Sequence, residues 1–156
     1  MSLSLIQFRD YVVRPVLSVI GFNGKAAERL LLGTALTESG LVFMKQVGSG
    51  PALGVYQMEP KTHDDIWVNF LNYKADLSAE VKQFVFPGMD DCEQLAGNLY
   101  YATAMCRVHY LRKPAALPDE DDLPAMGAYW KQYYNTPLGK GTVADFITKA
   151  KPAFEI

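Results

Sequence analysis

The sequence predicts a mostly α-helical protein folded as one domain over residues 1–156. Three observations carry that expectation. Apolar residues recur three and four positions apart in several separate stretches, which is the period of a helix face. Residues that start or stop helices punctuate those stretches, among them Gly40, Pro60 and Thr142. The length suits a single substantial core, and the Pro- and Asp-rich segment over 113–122 is short enough to join two helices within one domain.

Residues 4–20 read as the first helix, with Leu5, Phe8, Val12 and Val16 near its apolar face. Pro15 lies inside it and is expected to kink or divide it. Residues 21–24 make a turn. Residues 24–39 form a second helix, in which Leu31, Ala35 and Glu38 share a face. The segment over 41–53 holds Gly48, Ser49, Gly50 and Pro51 and reads as an exposed loop. Pro60 opens another helix, where its missing N–H costs nothing. Ile66, Trp67, Phe70 and Leu71 are its apolar side, and Asp64 and Asp65 are expected in its first turns, facing the positive end of the dipole. Asp76 or Ser78 starts a short helix through Val85, which Phe86-Pro87-Gly88 breaks.

Residues 90–112 carry the longest helical pattern. Cys92, Leu95, Leu99, Ala102, Cys106 and His109 form its buried stripe, with His109 as a structural histidine. Ala96, Gly97, Ala102 and Ala104 are small enough for close packing. A helix over about residues 122–134 follows. The turn-rich segment from Tyr133 to Thr142 either brings aromatic rings and backbone amides to a cleft or simply connects two helices. Thr142 caps a last helix over 142–151.

Glu38 is the chemically notable residue. It extends the stripe of Leu31 and Ala35 toward the core, and Gly40 ends the helix just beyond it. A carboxyl group at the inner edge of a helix C-terminus loses solvation and faces the negative end of the dipole. Both effects raise its pKa, and an acid still protonated near neutral pH can serve as a general acid. On pattern alone the residue also fits a solvated helix end. Glu38-Ser39-Gly40 is followed, sixteen residues after the acid, by Gly54-Val55-Tyr56-Gln57-Met58-Glu59-Pro60.

These two motifs at this spacing resemble the lytic transglycosylases and goose-type lysozymes, the single-glutamate branch of the lysozyme-like superfamily. The family pattern is a helix ending in E-S-G, a variable loop, then G-L-M-Q-(I/L)-x-P; Gly54, Gln57 and Pro60 match its second part. A third motif, A-Y-N-A-G, is met by Ala128 and Tyr129, while Trp130 replaces the asparagine. The resemblance spans roughly residues 24–140. It implies a lysozyme-like fold, with helices around a central buried helix, a substrate cleft and at most a small β element. It implies cleavage of the β-1,4 bond between N-acetylmuramic acid and N-acetylglucosamine, with Glu38 as the lone acid/base. Ser39 would orient the acid or bind substrate, and Gly54 would let backbone approach the glycan. Gln57 would contact the sugar N-acetyl group or the intermediate, Tyr56 would contact substrate, and Tyr129 would hydrogen-bond near Glu38.

Most glycosidases use two carboxylates, about 5–10 Å apart. A water-dependent muramidase therefore stays open, with Glu59 as the candidate second acid and Asp64 and Asp65 as weaker ones. Glu59 departs from the family, which often has an apolar residue there. The altered third motif also admits a virion structural or glycan-binding protein of the same fold with little activity.

A net charge of −2 with mixed signs gives no reason to expect nucleic-acid binding. No apolar run is long enough to span a membrane. Arg9, Asp10 and Arg14 interrupt the N-terminal apolar stretch, so it reads as an amphipathic helix and not as a signal peptide. A peptidoglycan enzyme made in the bacterial cytoplasm without an export signal fits a bacteriophage or prophage product. It would act in the periplasm or cell wall, delivered in the virion or released at lysis, with glycan strands and other virion proteins as partners. Two cysteines, Cys92 and Cys106, fourteen apart on one expected helix, imply no disulfide. Two histidines and no Cys/His cluster argue against zinc. Nothing in the sequence requires a metal or organic cofactor.

Overall fold

The computed structural model describes residues 1–156, and the chain is mostly helical without a β-sheet. Helices α1 (Leu5–Phe8) and α2 (Arg14–Ile20) are joined by a π-helical turn, Arg9–Val13. Pro15 explains the wide turn. It has no N–H to give, and its ring would meet the carbonyl of Tyr11 in a regular α-turn. The helix is thus re-wound at the proline and not divided. Gly21 ends it at φ 79°, and Phe22 N donates back to the Leu17 carbonyl at 3.2 Å.

Helix α3 (Lys25–Glu38) ends one residue before the expected boundary. The loop that follows forms only two isolated bridges, Lys45 to Leu53 and Leu53 to Met58. Helix α4 (Pro60–Asn69) starts at Pro60 as expected, and α5 (Ala75–Lys82) follows a short 3₁₀ turn. Asp64 and Asp65 fall in the second turn of α4, and its first turn contains no acid. Asp65 instead pairs with Arg112 across the fold.

The expected single helix over 90–112 is two: α6 (Gln94–Gly97) and α7 (Leu99–Leu111). Asn98 breaks the run at φ −98° and ψ 93°, and its side chain accepts from Tyr101 N at 3.0 Å. Asparagine competes with the helix backbone for its own hydrogen bonds, so it caps α7 in preference to continuing α6. Cys92 therefore lies in the turn before α6, on no common helix with Cys106. Nor is there only a stripe: every residue from Tyr101 to Tyr110 is buried. α7 packs against α2, α3, α4 and α5.

A helix buried all round must satisfy its polar groups internally. Thr103 Oγ1 shares a hydrogen bond with Tyr56 OH at 3.1 Å, and Tyr110 OH with Thr34 Oγ1 at 2.8 Å. Arg107 Nε donates to the Phe22 carbonyl at 3.1 Å while its guanidinium lies over the Phe22 ring.

Helix α8 (Leu123–Trp130) runs into a second π turn, Lys131–Asn135, and α9 (Val143–Ala150) closes against α3 and α8. Thr142 caps α9 as the sequence predicts, in a full capping box. Its hydroxyl accepts from Asp145 N at 3.1 Å, and Asp145 accepts from Thr142 N at 2.8 Å. Thr142→Ala is expected to cost about 1 kcal/mol in denaturant unfolding with the m-value unchanged.

Candidate active site

The C-terminus of α3 meets the turn over 53–58, and the two are fastened to each other. Leu53 and Met58 exchange both backbone hydrogen bonds, at 2.9 and 3.0 Å, which closes Gly54-Val55-Tyr56-Gln57 into a tight loop. Ser39 Oγ reaches across to the Val55 carbonyl at 2.7 Å and also accepts from Leu41 N at 3.1 Å. The last helical residue, Glu38, is thereby fixed relative to Gln57.

Gly54 has φ +77°, and a Cβ there would fall 1.9 Å from the Leu95 carbonyl oxygen. Its carbonyl accepts twice from Gln57, from the backbone N at 3.0 Å and from Nε2 at 2.9 Å. Gln57 itself has φ 49°, a left-handed conformation held by this bonding.

Beside these motifs lies a cavity of about 780 Å³. Glu38, Gln57, Glu59, His109, Tyr134 and Asn135 are among the residues that line it. Phe43 and Val47 contribute from the loop after α3, and Thr136 and Leu138 from the segment after the second π turn. Tyr134 OH donates to the Tyr56 carbonyl at 2.5 Å, so the π turn is tied to the same 53–58 loop.

Glu38 is largely buried, and burial raises its carboxyl from 4.5 to about 7. Two influences oppose burial and lose. Trp130 Nε1–H donates to Glu38 Oε1 at 3.0 Å, and the more distant Lys149 charge also favours ionisation. The indole can only donate, so it fixes one carboxyl oxygen as the acceptor and leaves the other to carry the proton. Trp130→Phe removes the donor. The pKa of Glu38 is then expected to rise further, by about one unit for one hydrogen bond to a charged group. Carboxyl-carbon NMR titration of both proteins reads this directly.

Of the residues singled out from sequence, Glu38, Gln57 and Glu59 share the cavity wall. Ser39, Gly54 and Tyr56 stand behind it and line none of it. Ser39 is buried against Val55, and the close backbone approach at Gly54 is to Leu95, not to a ligand. Tyr56 is wholly buried, with its hydroxyl on Thr103. Tyr129 does not reach Glu38: its hydroxyl donates to the Ala115 carbonyl at 2.9 Å and its ring packs on Tyr133 and Tyr110. The next residue, Trp130, makes the contact expected of Tyr129. The sequence marked Trp130 only as a departure from the family motif; an indole N–H donor beside the tyrosine was the signal available. His109 is buried as expected, yet it also lines the cavity.

The fold also assembles a group that the sequence did not suggest. Ligand atoms of His63, Asp64 and Cys92 lie within 4.8 Å of one another, which corrects the expectation of no Cys/His cluster. The turn before α6 brings Cys92 to α4 from far along the chain. His63 is already fully bonded, to Asp64 at 2.9 Å and to Tyr101 OH at 2.7 Å. Trp67 Nε1 donates to the same hydroxyl at 2.9 Å. Burial and the acids Asp64, Asp90 and Glu93 push the Cys92 thiol up to about 11.

The chain matches no protein-family model, no characterised protein and no solved structure. No helix is long and apolar enough to cross a membrane.

Proposed function

We propose that this protein is a peptidoglycan-cleaving enzyme of lysozyme-like fold, acting as a lytic transglycosylase with Glu38 as its only acid/base. The observation that carries the reading is a carboxyl raised to about 7 at the wall of a cavity of about 780 Å³. The motif resemblance around Glu38 and Gln57 supplies the substrate class.

In this reading the cavity is the glycan cleft. The protonated oxygen of Glu38, the one not held by Trp130, delivers its proton to the glycosidic oxygen between N-acetylmuramic acid and N-acetylglucosamine. The C1–O bond breaks, and the leaving sugar departs as an alcohol. The new carboxylate then takes the proton of the muramyl C6 hydroxyl as that oxygen closes on C1. The product is a 1,6-anhydro ring, Glu38 is protonated again, and no water is consumed. A pKa near 7 suits both halves of the cycle, because neither proton transfer is far uphill.

Glu59 in the same cavity keeps a second reading in view, a muramidase in which Glu59 activates water. Product analysis separates the two. Purified peptidoglycan digested by the protein should yield anhydro-muramyl ends by mass spectrometry, whereas a muramidase yields reducing ends. The pH profile adds a check. With Glu38 alone, activity needs the protonated acid and should fall as pH rises through about 7, with no acid limb from a second carboxylate. No clearing of peptidoglycan by the wild-type protein at any pH would leave a glycan-binding or virion structural role. For context we favour a phage or prophage product, made in the bacterial cytoplasm and acting on the cell wall at infection or lysis.

A further inference from the structure

His109 faces the proposed cleft but takes no part in the chemistry just described. It is 7% exposed, and its ring stands edge-on to Tyr134 with centroids 5.0 Å apart. Its Nδ1 lies 3.1 Å from Arg112 Nη2. A guanidinium can only donate, so Nδ1 is the acceptor and a neutral ring must carry its proton on Nε2. Arg112 is held in turn by Asp65 through Nη1. Burial first, then the charges of Arg112 and Lys113, push the imidazole down to about 3, against the weaker pull of Asp65. The result is a neutral histidine locked in one tautomer.

The Nε2–H has no acceptor within the protein. Nor is it sealed away: the buried side-chain polar atoms without partners are Nε of Arg29 and Nε of Arg112. It is thus an accessible, unpartnered donor on a residue that lines the cavity. Gln57 presents the complementary group. Its Nε2 is committed to the Gly54 carbonyl, which leaves the acceptor Oε1 free on the same cavity wall. One uncharged donor and one uncharged acceptor match the C=O and N–H of a secondary amide.

We infer that His109 is a substrate-recognition residue whose Nε2–H donates to the carbonyl oxygen of a sugar acetamido group. The inference rests on the glycan reading above and adds a specificity to it. A deacetylated amino sugar brings an ammonium donor to a place where His109 also donates, so the site discriminates against it.

The test uses the full chain carrying Glu38→Gln, so that sugars are bound but not cleaved. Calorimetry compares oligosaccharides of N-acetylglucosamine with those of glucosamine. The acetylated chain should bind at least about tenfold tighter. Adding His109→Phe should remove most of that preference and leave the weak binding of the deacetylated chain unchanged. Adding His109→Gln, which restores an N–H donor, should keep part of it. Nitrogen NMR on the protein with His109 intact reads the same contact without a core substitution. It should show the Nε2–H tautomer, with an Nε2 resonance that moves on saturation with the acetylated sugar only. A preference that survives His109→Phe, or an Nε2 resonance that stays still at saturation, overturns the role of His109. Equal binding of both sugars overturns it too, while leaving the glycan reading intact. Binding of neither sugar overturns the glycan reading and this inference with it.

Discussion

Glu38→Gln is expected to abolish peptidoglycan cleavage and, above pH 7, to make the protein more stable than the wild type. The activity loss should be at least about 10²–10⁴-fold, the range for removing a general acid. Turbidity clearing reads it, and equal clearing by both proteins would remove Glu38 from the mechanism. The gain in stability follows from the same burial. The carboxyl rises from 4.5 to about 7 on folding, so between those pH values the unfolded chain has released a proton that the native state still holds. The contribution of Glu38 to wild-type stability should therefore be fullest below pH 4.5, decline as pH rises toward 7, and level off above it. At about 1.4 kcal/mol per pH unit, the total is about 3 kcal/mol. Glutamine has the same shape, stays neutral and can still accept from Trp130. Its advantage should be about 3 kcal/mol at pH 8.5 and near zero at pH 4, measured by denaturant unfolding. An advantage that does not change with pH would show that the carboxyl is solvated in the folded protein.

Gly54→Ala is the second large effect, and here activity and stability should fall together. The new methyl would sit 1.9 Å from the Leu95 carbonyl oxygen, a backbone atom that cannot swing aside. The residue would also be forced to hold φ +77°. Left-handed strain of about 1–2 kcal/mol adds to an overpacking cost of about 1–3 kcal/mol, for a loss of roughly 2–5 kcal/mol. Gly48→Ala is the internal control. Gly48 has φ +89° but nothing within 4 Å of its Cβ position, so only the backbone strain should appear. Equal losses at the two glycines would mean that the contact with Leu95 is unimportant.

Local signals were legible where one residue decides the outcome. Pro60 starts α4, Gly40 follows the end of α3, and Thr142 caps α9, because each effect is set within a turn of chain. Glu38 was legible only through two signals together: its helix-face register, which also fits a solvated helix end, and the Gly54–Pro60 motif sixteen residues on. The break at Asn98 was missed because the apolar period of Cys92, Leu95 and Leu99 continues through it, while the cap is a single side-chain hydrogen bond. The partners of Glu38 were missed for a different reason. Tyr129 and Trp130 are adjacent on α8 and point about 100° apart, so a motif correct to one residue still names the wrong ring. The position of α8 against α3 decides between them, and neither helix encodes that position alone. The union of His63, Asp64 and Cys92 likewise depends on how two distant segments meet.

The 53–58 loop is gripped on one side by Ser39 and on the other by Tyr134, through the carbonyls of two successive residues, Val55 and Tyr56. A clamp of that kind denies the groove a hinge at its floor. Any breathing that admits a polymer must come from its two lips, the exposed stretch over 42–49 and the segment over 136–138. Amide hydrogens there that have no backbone partner, such as those of Val47 and Gly48, should exchange with solvent orders of magnitude faster than those of Gln57 and Met58. On the proposed function, a glycan strand would then pass soft edges over an anvil that does not yield.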